Sequence, residues 1–252
     1  MQVAIVTGGS SGIGQSAAIE IAKRGVGVIA TYSKHPAGAE ETVQIIESQG
    51  GSAVALPLDV GRVETFPEFR ERIVETLQGK WNVNSFQYLV NNAGIAQMAL
   101  FEETSEAQFD ELYRVLFKGP YFLTQALLPL MDDGGAIVNT SSNSAVTSGV
   151  EPGYSAYASM KGAINVLTRY MAKEFSSRGI RVNAVAPGST RTRLADDAFS
   201  KYPEVIAPLA ARTALGRVGE PEDIGKVIAF LASEDGAWIT AQTIEASGGF
   251  GL

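Results

Sequence analysis

A cluster of glycines placed directly after the first apolar run restricts this chain more than any other feature. Val3, Ala4, Ile5, Val6 and Thr7 form a short β-prone run, and Gly8-Gly9-Ser10-Ser11-Gly12-Ile13-Gly14 follow at once. A stretch of helical period begins behind them. The chain must turn tightly from strand to helix there, and its backbone can approach a pyrophosphate with the helix N-terminus facing the anion. Gly8, Gly12 and Gly14 are spaced GxxxGxG, and Ser10 and Ser11 add hydroxyl donors. Together with Ile13 these are the candidate phosphate-binding residues. A glycine cluster alone is an ordinary tight turn. Between a first strand and a first helix it points to a dinucleotide.

The alternation continues along the chain. Apolar runs at residues 3–7, 26–31, 53–58, 86–91, 136–140, 181–186 and 243–246 read as strands. Stretches of helical period lie at 15–24, 38–49, 66–77, 106–130, 157–176 and 221–232. Repeated strand–helix units argue for a parallel sheet with helices on both faces, and near-continuous apolar strands suit burial on both sides. A TIM barrel alternates in the same way. The glycine pattern after the first strand favours an open, doubly wound, Rossmann-like α/β sheet. No linker or low-complexity segment interrupts the series, so residues 1–252 are expected to form one domain. Residues 189–217 are less regular and are expected to form a substrate lid. Leu194, Phe199, Tyr202, Ile206 and Leu209 lie within it, suited either to a moderately apolar substrate or to packing of the lid. Tyr154 and Met98 are further candidates for the pocket wall.

Composition removes several function classes. The formal net charge is −7, so no basic stripe is available for nucleic acid,. There is no cysteine, and His35 is the single histidine. A disulfide framework, a cysteine-ligated metal and a multi-histidine zinc site are therefore excluded, and no metal is expected. His35 lies in a polar, proline-containing loop and reads as a surface residue. The N-terminus lacks a basic segment followed by a long apolar stretch, and no apolar run approaches the ~20 residues of a membrane span. The expectation is a cytoplasmic protein without a membrane partner.

The end of the second strand bears on which nicotinamide dinucleotide is held. An acid there would bind the adenosine ribose 2′-hydroxyl and repel a 2′-phosphate. This chain reads Ala30-Thr31-Tyr32-Ser33-Lys34, without an acid. Tyr32, Ser33 and Lys34 are the candidates, and NADP(H) is expected in preference to NAD(H). A solvated loop lysine is the bland alternative for Lys34.

Tyr157 and Lys161 stand four residues apart in a helical stretch, which places both on one face,. A free tyrosine has a pKa of about 10, and bringing it to about 7 takes roughly 4 kcal/mol. An ammonium about 4 Å away supplies a Coulomb contribution of that size at an effective dielectric of about 20. Such a pair can exchange a proton with a carbonyl oxygen. Alone, Tyr-x-x-x-Lys is common by chance. Here it follows the glycine loop, Asn91-Asn92-Ala93-Gly94, and the hydroxyl-ended run Ile137-Val138-Asn139-Thr140-Ser141-Ser142.

That combination resembles the short-chain dehydrogenase/reductase family in its single-domain form, over nearly the whole chain. Thr7–Gly14 is similar to the family's TGxxxGxG cofactor loop, and Leu58-Asp59-Val60 to its adenine contact. Asn91, Ala93 and Gly94 lie in the segment resembling NNAG, which supports the sheet and lines the cofactor. Pro187-Gly188 with Thr190 and Thr192 resembles the loop over the nicotinamide. Residues 216–224 and 230–233 match as well, whereas Ala241 stands where a glycine is usual.

By that resemblance, Tyr157 is the general acid in reduction and the base in oxidation. Lys161 lowers the Tyr157 pKa and holds the nicotinamide ribose, and Ser142 positions the substrate oxygen. Ser142 lies fifteen residues before Tyr157, whereas Ser144 has the commoner separation of thirteen. Ser142 is in register with the strand motif and is preferred, with two extra residues in the 145–153 loop. The resemblance implies a small-molecule carbonyl or alcohol substrate and a homo-oligomer, tetramer or dimer. The apolar faces of 106–130 and 162–171 would serve as interface or as core.

One departure matters. Leu116 occupies the position of the family's usual catalytic asparagine, which helps hold a proton-carrying water. A leucine side chain makes no hydrogen bond. Either the enzyme exchanges protons by another path, or the chain is a dinucleotide-binding regulatory protein with weak catalysis. The intact Tyr157–Lys161 pair favours the enzyme. If proton relay limits the rate, Leu116→Asn raises turnover in a steady-state assay; an unchanged or lower rate counts against that limit.

Overall fold

Strand burial explains the architecture. β1 (Val3–Val6) is buried at every position, and β2 (Gly27–Tyr32) at all but its last. Such strands need helices on both faces. The computed structural model, which describes residues 1–146 and 149–252, shows that arrangement. The remaining strands are β3 (Ala53–Pro57), β4 (Phe86–Asn91), β5 (Met131–Thr140), β6 (Arg181–Pro187) and β7 (Thr243–Ala246). Their order is β3-β2-β1-β4-β5-β6-β7, and every neighbouring pair is parallel. The sheet is open, so the barrel alternative falls.

Each face carries its own core. On one side Ala17 and Ile21 of α1 (Gly12–Ala22), Ile46 of α2 (Pro36–Ser48), and Ile224 and Ile228 of α9 (Pro221–Leu231) pack on Val6, Val28 and Ala30. On the other, Phe69, Ile73 and Leu77 of α3 (Phe66–Trp81) meet Ile5, Ile29 and Leu89. Leu123 and Leu127 of α5 (Gly119–Leu127) and Met171 of α6 (Ser155–Glu174) join that second cluster.

The long helix expected over 106–130 is broken. It consists of α4 (Glu106–Tyr113), a π-helical turn at Arg114–Lys118, α5, and a 3-10 turn at Leu128–Leu130. Pro120 has no N–H to give the carbonyl of Leu116 four residues earlier, so a regular ladder cannot run through. Gly119 instead donates to Arg114 O. A Cβ on Gly119 would lie 2.3 Å from Val60 O, so only glycine passes this close to the chain after β3. The 189–217 stretch contains α7 (Leu194–Lys201) and α8 (Ile206–Ala211). The 145–153 loop, to which two extra residues are assigned, includes positions 147 and 148, outside the described residues.

Candidate active site

β1 and β4 lie side by side, and their chains depart to opposite halves of the sheet. That switch point is where open α/β sheets bind ligands. Thr7 ties it together. Its hydroxyl accepts from Asn92 N (2.9 Å) and Ala93 N (3.0 Å) and donates to Val90 O (3.2 Å). The Asn92 amide returns a bond to Thr7 O at 3.0 Å. Neither residue is in the candidate set read from the sequence, although Thr7 opens the glycine motif and Asn92 belongs to the Asn91–Gly94 segment.

The glycines follow from this closeness. Gly8 has φ +67°, and a Cβ on it would lie 2.9 Å from Ala93 Cα. A Cβ on Gly14 would lie 2.2 Å from Gly8 O. Ser11 is the N-cap of α1 but makes no side-chain capping bond, and the first turn holds no acid. The amides of Gly12, Ile13 and Gly14 thus have no capping side chain, and a phosphate anion fits them in charge and hydrogen bonding. A cavity of about 300 Å³ lies here, with Ser10, Ser11 and Gly12 on one wall and Arg191, Thr192 and Arg193 on another. It belongs to the phosphate loop rather than to Tyr157.

The other expected cofactor residues are spread along the same sheet edge. Tyr32 is half-buried, and Ser33 and Lys34 are exposed just past β2. Asp59 is exposed and accepts from Gly61 N at 2.9 Å, while Val60 is buried. Pro187 ends β6. Gly188 passes so near Ser247 that a Cβ would lie 2.7 Å from its Cα. Thr190 donates to Gly188 O at 2.9 Å, and Thr192 abuts Gly12. Asn91 stands apart from this group. Its buried amide is turned into the sheet, donating to Asn139 Oδ1 (2.9 Å) and Thr124 Oγ1 (3.0 Å). Ala93 and Gly94 are the members of that segment at the sheet edge.

Tyr157 and Lys161 lie in the first two turns of α6 and are both buried, 7% and 5% exposed. The Ser142 side chain interacts with the Tyr157 phenol and draws its pKa down. Ser142 also accepts from Ser144 N (3.1 Å), with the two hydroxyl oxygens 3.2 Å apart. Of the two candidate serines, Ser142 is the one that interacts with Tyr157, and Ser144 is bonded to Ser142. Lys161 Nζ donates to Thr140 O at 2.7 Å and lies 5.8 Å from the Tyr157 ring centre. Ser141 Oγ donates to Lys161 O at 3.1 Å, fixing the helix turn that carries the lysine. Leu116, fully buried, packs with Leu112, Tyr157 and Met160. A Cβ on Gly94 would lie 3.3 Å from Leu116 Cδ2 and 3.9 Å from Lys161 Nζ, so leucine, glycine and lysine converge.

The electrostatics differ from the sequence expectation. A lowered Tyr157 pKa was expected from Lys161. Burial instead pushes the phenol up to about 12, opposed by the Ser142 hydrogen bond. Burial also pushes Lys161 down to about 8. Desolvation dominates because both groups are buried and the Lys161 Nζ is directed at Thr140 O,.

Fold and site together define a Rossmann-like dinucleotide-binding protein with a tyrosine–lysine pair beside its cofactor edge. A family model described as enoyl-(acyl carrier protein) reductase matches residues 8–251. The chain belongs to the short-chain dehydrogenase/reductase family and is an oxidoreductase of that family. It is 39% identical over 248 residues to an uncharacterized oxidoreductase of Methylorubrum extorquens, covering 98% of this chain and 97% of the relative. It is 36% identical to a hydroxynaphthalene reductase-like protein of Metarhizium majus, covering 98% and 94%. The structure of the angucycline C-6 ketoreductase LanV with bound NADP superposes with a TM-score of 0.93 at 36% identity, covering 100% and 96%.

The buried lysine has a measurable consequence. In the folded chain burial holds its pKa at about 8, below its ordinary value of 10.5. Between those values the unfolded chain binds the extra proton, so stability rises with pH, approaching about 1 kcal/mol per pH unit. Below about pH 8 both states are protonated and the burial penalty is fully present. Tyr157 acts oppositely, but only above its ordinary value of 10.0. Urea denaturation of the ligand-free protein between about pH 8 and pH 10 is therefore expected to show a rising stability that Lys161→Met flattens. Equal slopes in the two proteins would place the ammonium in a solvated setting.

Proposed function

We propose that the chain is an NADP(H)-dependent reductase of a carbonyl compound, with Tyr157 as general acid assisted by Lys161 and Ser142. The observation that carries this reading is the buried Tyr157 phenol with the Lys161 Nζ 5.8 Å from its ring centre, and with Ser142 interacting with it. A phenol held at about 12 stays protonated at neutral pH, which suits donation to a carbonyl oxygen and hence the reducing direction,. The nicotinamide dinucleotide supplies the hydride when bound. Tyr157 gives the proton to the oxygen, and Ser142 offers a second donor to the charge developing there. Lys161, anchored on Thr140 O, is in place for the nicotinamide ribose hydroxyls. Phosphate recognition falls to Gly8, Ser10, Ser11, Gly12, Ile13 and Gly14. Adenosine recognition falls to Tyr32, Ser33, Lys34, Asp59 and Val60. A pure binding protein has no need to bury a tyrosine and a lysine together at the cost of desolvating both.

The preference for NADP(H) rests on the acid-free end of β2 with Lys34 exposed beside it, and on the NADP bound to LanV. The substrate is proposed to be a ketone on a fused-ring aromatic skeleton. Relatives named for hydroxynaphthalene and for angucycline reduction support this class, and apolar Met98, Leu194, Tyr202 and Val205 are exposed. Residues 189–217 serve as the lid of a one-domain enzyme. A homo-oligomer is part of the proposal. Phe109, Tyr113, Tyr121 and Phe122 around α4 and α5, and Val166 and Tyr170 on α6, are exposed rather than core, and sedimentation of a single-chain species would remove that part.

The test is NADPH oxidation with a panel of aromatic ketones. Tyr157→Phe is expected to lower kcat by at least about 100-fold with NADPH binding retained. Ser142→Ala is expected to cost about 100-fold and Ser144→Ala much less. Lys34→Ala should weaken NADPH about 10-fold, as expected for one lost charged contact, and leave NADH unchanged. A Tyr157→Phe enzyme as fast as wild type would end the assignment.

A further inference from the structure

One guanidinium joins three segments that are distant in sequence. Arg212 closes α8 at the end of the proposed lid. Its side chain forms an ion pair with Glu151, in the stretch leading into α6. Its guanidinium carbon also lies 4.5 Å from the ring centre of Phe250, near the C-terminus. The backbone repeats the link. Gly251 N donates to Arg212 O at 2.9 Å, Ala214 N to Gly249 O at 3.1 Å, and Thr213 bridges Phe250 in antiparallel fashion.

The segment held by Glu151 runs directly to the reacting group. Tyr154 follows three residues later, and its ring meets the Tyr157 ring edge-on with centres 6.1 Å apart. The same segment is tied on its other side, where Ala99 N donates to Gly153 O at 3.1 Å. We propose that Arg212 is a positioning residue for the substrate side of the active site: it clasps the lid and the C-terminal tail to the segment that leads into Tyr157. The inference rests on the reductase reading for its kinetic consequence, and on geometry alone for the clasp.

Arginine suits this place better than lysine. Its planar guanidinium presents a fork to Glu151 while a face lies over Phe250. The ion pair is exposed, 47% at Arg212 and 38% at Glu151, so it is weak and screened by salt,. A weak clasp suits a segment that opens to admit substrate and closes behind it. The phosphate loop is held by separate ties through buried Thr7 and half-buried Asn92. Loss of Arg212 therefore loosens substrate capture without loosening NADPH.

The test compares wild type with Arg212→Ala, Arg212→Lys and Glu151→Gln, using 9,10-phenanthrenequinone as the ketone. Arg212→Ala is expected to raise KM about 10-fold with kcat within about 2-fold of wild type. NADPH Kd is expected to stay unchanged. Glu151→Gln should follow in the same direction, and Arg212→Lys should lie between. Amide hydrogen exchange supplies a readout free of turnover. In Arg212→Ala, residues 150–154 and 248–252 should exchange faster together, and residues 8–14 should not change. Unaltered exchange at either segment overturns the clasp, and a parallel loss of NADPH affinity shows a general structural role instead. If wild type reduces no ketone, the functional reading falls, and the exchange comparison still decides the clasp.

Discussion

The Thr7 hydroxyl sits where β1 and β4 end side by side and their chains part. Three hydrogen bonds converge on this one oxygen, two from the backbone after β4 and one to Val90 O. Thr7 is almost completely buried, so leaving these amides unpaired would cost each its full desolvation penalty,. Everything at the cofactor edge is placed relative to this tie. It draws the chain after β4 against Gly8, so that only glycine fits at 8 and at 14. It also aims the uncapped N-terminus of α1 along the sheet edge. The glycine spacing is a consequence of backbone proximity, and the proximity is fixed by a threonine and an asparagine.

The second set of constraints fixes α6. Asn91 donates to Asn139, and Asn139 donates to Thr168 Oγ1 on α6 at 2.9 Å. Ser141, two residues further along and just past the end of β5, donates to the Lys161 carbonyl. A buried polar chain thus runs from β4 through β5 into the helix that carries Tyr157 and Lys161. Such a chain specifies position because a slipped helix would leave its amides unpaired. It also explains why Asn91 lies inside the sheet. Leu116 completes the surroundings with hydrocarbon where an amide would have solvated the lysine. That apolar wall is consistent with Lys161 being pushed down to about 8 by burial.

The sheet and the phosphate loop were legible in the sequence because they depend on local pattern: apolar runs of strand length, and glycines where a turn meets a helix. The pairing of Tyr157 with Lys161 was legible for the same reason, since four residues span one helical turn. The break at Arg114–Lys118 was not, because the apolar period continues through it. Its causes are Pro120, which removes one donor, and Gly119, whose need is set by Val60 across space. The direction of the Tyr157 shift was also hidden. Spacing gives the distance between two groups, but not how much hydrocarbon surrounds them. Strand register and residue counting favour different serines; both can be read from the sequence, while the approach of a hydroxyl to Tyr157 depends on how the chain after β5 folds back.

The two sides of the site are held by different physics. At the phosphate loop the ties are buried or half-buried and mostly to backbone, as at Thr7, Asn92 and Thr42, whose hydroxyl lies 2.8 Å from Gly9 O. By contrast, residues 189–217 are tied by exposed ion pairs, Arg191 with Glu220 and Arg212 with Glu151. Buried ties fix geometry and resist salt. Exposed pairs are worth little individually and exchange readily with water. A hydride donor must be held to within a fraction of an ångström for transfer, whereas a substrate must enter and leave on every turnover. The chain thus combines threonine and asparagine ties where β1 and β4 end with exposed arginine pairs in residues 189–217.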